Sequence, residues 1–107
     1  MSKEDQLDNL AHLAMFYGTA KMLLQSAEEF DKDGVLAPEE FREYVEQGIE
    51  VVSPSVLRLV VDLPDDWKVM PLYYEGIALL KQAIAIVDSL KARVSKESRL
   101  LEEMVGL

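Results

Sequence analysis

Apolar residues recur every three or four positions along nearly the whole chain, and nowhere do they alternate convincingly with period two. That spacing confines the chain to helices packed on helices. Glycine is sparse, with five in 107 residues, so the interruptions that do occur carry weight.

The first predicted helix runs from about Lys3 to Phe30. Ser2 is placed to cap it, with Asp5 three residues on in the manner of a capping box. Its apolar stripe is Leu7, Leu10, Leu13, Tyr17, Ala20, Leu24 and Ala27. Gly18 lies inside it and marks a close contact or a bend. Asp31-Lys32-Asp33-Gly34 reads as a stop, and Pro38-Glu39-Glu40 as a new start. The second helix carries Phe41, Val45, Ile49 and Val52. Ser53-Pro54 repeats the pattern of cap then proline and predicts a short third helix to about Asp62, apolar nearly all round and therefore buried. A loop holding Trp67 follows. Pro71 then opens a fourth helix whose stripe continues to Val105. Unbroken, that last helix would be roughly 50 Å long. It must then break near Ser95 or carry its end onto a partner. The expectation is one helical domain over residues 1–107.

Composition narrows the function classes. There is no cysteine, which removes thiolate metal sites and cysteine nucleophiles, and one histidine, which removes multi-histidine sites within a chain. The net charge of −9 argues against a phosphate-binding surface and against nucleic acid as partner. The longest run free of charged residues, Asn9 to Ala20, is well short of the ~20 residues needed to cross a bilayer. With a polar, acidic start to the chain, the expectation is a cytoplasmic protein with no membrane partner.

One loop carries a more specific signal. Phe30, Asp31, Asp33, Leu36, Glu40 and Phe41 fall in the order of an aromatic residue, two carboxylates, an aliphatic residue, a closing glutamate and a second aromatic residue. This resembles the EF-hand, a helix–calcium loop–helix motif. The resemblance implies calcium as a possible ligand, held by Asp31, Asp33 and Glu40 with a main-chain carbonyl from Val35. It covers about a fifth of the chain. Asp31 to Glu40 is ten residues where the family's loop has twelve, so a third acidic ligand and the turn glycine are missing. Ala37 replaces the usual polar residue before the exiting helix. A shift of 33 residues aligns a degenerate second copy, with Asp66, Val69, Pro71 and Tyr74 matching Asp33, Leu36, Pro38 and Phe41. The pair implies a short bridge between Val35-Leu36 and Lys68-Val69. The other reading of Asp31 to Glu40 is a stop, a turn and a start between two helices.

Other candidates are weaker. Glu39, Glu43, Glu46 and Glu50 share one helix face, either solvated or a docking face for a basic partner. From Glu28 to Glu50 there are nine acids against two bases. Lys81 to Arg99 is the one basic stretch, suited to meet that acidic helix within one chain or between two. His12 lacks a nucleophile or orienting acid in any motif, so a surface or partly buried histidine is the default over a general base. No phosphate-binding or nucleophile-elbow motif is present.

These readings combine into an all-α four-helix bundle of two EF-hand-like helix-loop-helix units with a long C-terminal helix. The leading function is a non-catalytic interaction module: an adaptor, chaperone or complex subunit. It would bind a partner helix in an apolar groove, or a protein partner or second copy through the last helix. The alternative is an EF-hand-like calcium-binding protein. An enzyme using carboxylates and His12 is a third reading.

Overall fold

The computed structural model describes residues 2–106, which are helical over most of their length. Helix α1 spans Lys3–Asp33, α2 Glu39–Gln47, α3 Ser53–Val61 and α4 Val69–Met104. A π-turn over Gly48–Val52 joins α2 to α3, and a single 3₁₀ turn over Asp65–Trp67 precedes α4. No strand or bridge occurs among the described residues.

Local chemistry accounts for the ends of α1. The Ser2 hydroxyl accepts from the Asp5 N–H at 3.1 Å. Gly34 adopts φ 66°, and its N–H and that of Val35 donate to the carbonyls of Asp31 and Phe30. This is a Schellman ending, which needs a residue without a Cβ penalty at the left-handed position. The helix therefore runs three residues past Phe30 before it stops.

The expected break at Ser53-Pro54 does not occur. Ser53 is helical at φ −61°, ψ −42°, and its N–H donates to the Gly48 carbonyl five residues back. Its hydroxyl donates to the Ile49 carbonyl. Pro54 brings no N–H, and its ring crowds the carbonyl four residues earlier. A π-turn widens the helix just ahead of the ring and relieves that crowding. Four helices are present as expected, but α2, the π-turn and α3 form one continuous rod.

Three rods make the bundle. Phe16 meets Tyr73 and Gly76 near the start of α4, while Asp31 meets Arg93 near its end, so α1 and α4 run parallel. Arg42 meets Asp88, Gly48 meets Leu80 and Ser53 meets Tyr73, so the middle rod runs back antiparallel to both. The core is Leu13, Phe16 and Ala20 from α1, Val45, Val56 and Val60 from the rod, and Tyr73, Leu80, Ala83 and Val87 from α4. The third helix buries one face only: Val61 is exposed.

This connectivity puts the 34–38 loop and the 62–68 loop at opposite ends. They face positions on α4 that are about 27 Å apart at 1.5 Å per residue. The bridge between Val35-Leu36 and Lys68-Val69 implied by a pair of EF-hands is not formed. The fourth helix does not break near Ser95; it is one rod of 36 residues. The molecule is accordingly long and thin, 70 × 20 × 15 Å. No helix among the described residues is long and apolar enough to cross a membrane.

Candidate functional site: an apolar groove beside the π-turn

The segment from Asp31 to Glu40 is the end of α1, a short loop over 34–38 and the start of α2. Asp31 and Asp33 lie within α1, two positions apart, and Glu40 lies in α2. Side chains two apart on a helix point roughly 200° away from each other. Asp31 is engaged by Arg93 at 2.5 Å. The structure does not bring Asp31, Asp33 and Glu40 together, and no group of three acids and histidines among the described residues is placed to hold a metal ion. Phe30 and Phe41, the two aromatic residues of the motif, do meet, edge to face with centroids 5.4 Å apart. They clamp the end of α1 to the start of α2, the work of a helix–helix turn.

The acidic and basic stretches meet within the chain. Lys91 of α4 lies 3.8 Å from Glu39, and Arg93 reaches Asp31. Arg42 grips Asp88 with two nitrogens, Nε to Oδ1 at 2.8 Å and Nη2 to Oδ2 at 3.2 Å, and reaches Glu46 with Nη1 at 3.1 Å. The hydrogen bond from Arg42, aided by its charge, holds the Asp88 carboxyl below its ordinary range. The Arg42 guanidinium is held above its own, through the same bond and the charges of Asp88 and Glu46. These ties fix the middle rod against α4.

A groove of about 300 Å³ opens on the other side of that rod, between α1 and the π-turn. Phe16, Ala20, Val56 and Leu80 form its floor, all buried. Met15 and Leu23 of α1 and Tyr44 and Val52 of the rod form its walls. Met15 is 70% exposed and Tyr44 57%, so the walls stand open to solvent. The π-turn shapes the site. Gly48 sits at its start, where a Cβ would come 3.5 Å from Leu80 Cδ1.

His12, Thr19 and Gln47 are the polar members of the groove. His12 is exposed, and its Nδ1 lies 2.8 Å from the Asp8 carbonyl oxygen. A carbonyl only accepts, so Nδ1 is the donor in that bond. Acids flank the lining residues one helical turn away: Asp8 before His12, Glu40 before Tyr44, Glu43 before Gln47.

The sequence placed His12 near the first helix's apolar stripe and Val52 on the second helix without joining them into a site. The available signal was the apolar period running on through Val45, Ile49, Val52, Val56 and Val60 across Pro54: a proline inside such a stretch can mark a distorted helix as well as a new start, and distortion opens space beside it. Tyr73 is buried and donates to the Ser53 carbonyl at 3.0 Å, while Trp67 and Tyr74 are exposed.

Comparison of the chain with protein-family models, with curated proteins and with solved structures finds no match to any of them.

Proposed function

We propose that this protein is a non-catalytic interaction module that receives an amphipathic, basic helix of a partner protein in the groove between α1 and the π-turn. The groove carries the reading. It is apolar in its floor and walls, open at both walls, and flanked by Asp8, Glu40 and Glu43. An apolar stripe at positions i, i+3, i+4 and i+7 fits such a trough. Lysine or arginine on the edges of that helix would meet the acids, and the net charge of −9 would speed its approach.

A fluorescent 18-residue peptide of leucine and lysine, with leucine at helical spacing, tests the reading. A second peptide of the same composition but without an apolar face controls for charge alone. The amphipathic peptide is expected to bind on the order of 10 μM and at least about tenfold tighter than the control. Val52→Glu and Met15→Glu change exposed wall residues and should abolish that preference, while backbone amide shifts induced by the peptide should cluster on 12–23 and 44–56. Equal binding of both peptides, or indifference to Val52→Glu, would overturn the reading.

A further inference from the structure

Charge is distributed unevenly along the groove. Its lining runs from His12 to Leu23 on α1 and from Tyr44 to Val56 on the middle rod, about 16–18 Å of helix on each side. Apart from His12 at one end, no acid or base lines it. The acids and bases of the two spans are Lys21, Glu46 and Glu50. Each stands midway between two lining residues one turn apart: Lys21 between Thr19 and Leu23, Glu46 between Tyr44 and Gly48, Glu50 between Gly48 and Val52. Each therefore points to another side of its helix. Lys21 lies over the Tyr17 ring, 5.1 Å from its centroid, and Glu46 is held by Arg42. The middle of the groove thus presents no charge.

The ends are acidic. Asp8 lies one turn before His12, preceded on α1 by Lys3, Glu4 and Asp5. Glu40 lies one turn before Tyr44, and Glu43 one turn before Gln47. Because the rod is antiparallel to α1, Asp8 stands at one end of the groove and the two glutamates at the other. Past Leu23 the next charges on α1 are Glu28 and Glu29. Past Val56 the rod carries Arg58, midway between buried Val56 and Val60 and so turned away, then Asp62. Elsewhere on the rod charges are matched, Arg42 with Asp88 and Glu39 with Lys91. Asp8, Glu40 and Glu43 are exposed, and no base among the described residues pairs with them.

We infer that the partner helix carries its bases at its two ends, about 27 Å apart, and no charge over the three turns between them. This deepens the proposed role of the groove as a helix receptor and rests on it. A base at either end of such a helix meets an unpaired carboxylate. A base over the middle would face Met15, Thr19 or Val52 and lose water with no acid in reach. The arrangement selects among amphipathic basic helices by where their charges fall.

Two 18-residue peptides of identical composition test it with the full chain. Both have leucine along one face and glutamine with four lysines elsewhere. One places two lysines in each end turn, the other all four in the middle turns. In fluorescence anisotropy the end-loaded peptide should bind about tenfold tighter at low ionic strength, and the gap should narrow in salt. Asp8→Asn, Glu40→Gln and Glu43→Gln combined should bring the end-loaded peptide down to the affinity of the other, whose own binding should hardly change. The three positions are exposed, so circular dichroism should show the variant folded. It alters the protein alone, so a difference in peptide helicity cannot produce its effect. Equal affinity for the two peptides, both above a control without an apolar face, would overturn this inference and leave the groove's proposed role standing. A gap that survives the triple substitution would do the same. No preference over that control would overturn both. So would a dimer that Val52→Glu dissolves and neither peptide displaces, with a second copy then the occupant.

Discussion

The ring of Phe16 fills the space that a side chain on Gly76 would need. A Cβ at position 76 would lie 2.7 Å from Phe16 Cε1. The ring has little room to retreat, since it is buried and stacked on Tyr73 with centroids 5.9 Å apart. This contact sets how closely the two parallel helices approach, and it forms part of the groove floor.

Gly76→Ala should therefore lower stability by about 1–3 kcal/mol through overpacking, although alanine is the better helix former. Gly18→Ala supplies the contrast. Nothing lies within 4 Å of a Cβ at position 18. There the helix preference acts alone, and stability should rise by about 0.5–1 kcal/mol. Urea denaturation of the two variants checks both signs.

Tyr73→Phe tests the tie between α4 and the middle rod. The phenol is buried and donates to the Ser53 carbonyl at 3.0 Å, just beyond the π-turn. Loss of the hydroxyl should cost about 1 kcal/mol while leaving the ring contacts in place. Faster amide hydrogen exchange over 48–56 should accompany it, because this bond anchors the C-terminal side of the distortion.

The Arg42–Asp88 pair predicts an acid response with a definite sign. The Asp88 carboxyl titrates below its ordinary value of 3.8 in the folded protein. Its contribution is thus fully present above the ordinary range and is lost as pH falls through the lower folded value. Asp88→Asn should be slightly less stable than the parent at neutral pH, and the gap should close below about pH 3.8. Both groups are exposed, so the gap is small and should shrink further in salt. Thermal melts of both proteins from pH 7 to pH 2.5 measure it.

Calcium titration bears on the Asp31–Glu40 segment. With Asp31 turned to Arg93 and Asp33 on a different side of the same helix, calcium should give no saturable heat beyond that seen with magnesium. Arg93→Ala releases Asp31 without moving the helix, and should leave that result unchanged. Calcium-selective saturation in the micromolar range would show instead that the end of α1 unwinds to form a binding loop.

Much of this architecture follows from neighbours in the chain. The cap at Ser2, the stop at Gly34 and the turn before α4 each depend on hydrogen bonds within a few residues, so the local order of side chains decides them. Leu13, Ala20 and Ala27 follow the helical period and were legible in the same way, whereas Phe16 was missed: the period picked out its neighbour Tyr17, which is half-buried. The aromatic pair Phe30 and Phe41 was legible as a feature, but its order along the chain is shared by a calcium loop and a plain turn.

What the tertiary structure decided concerns choices that are nearly even locally. Ser53-Pro54 is chemically as good at a helix start as inside a distorted helix. Burial of Ser53 and Val56 against Tyr73 and Leu80 favours the continuous rod, because a break there would take Val45 and Val60 out of line with one core. That continuity sends the chain straight back along α1, makes α4 parallel to it, and separates the two loops that a pair of EF-hands would join. The groove is a consequence of the same choice: its residues lie on α1, the rod and α4, and no spacing along the sequence records which of those faces meet. The sequence by itself determined where helices begin, end and turn their apolar sides; packing determined how many rods there are and what space they leave open.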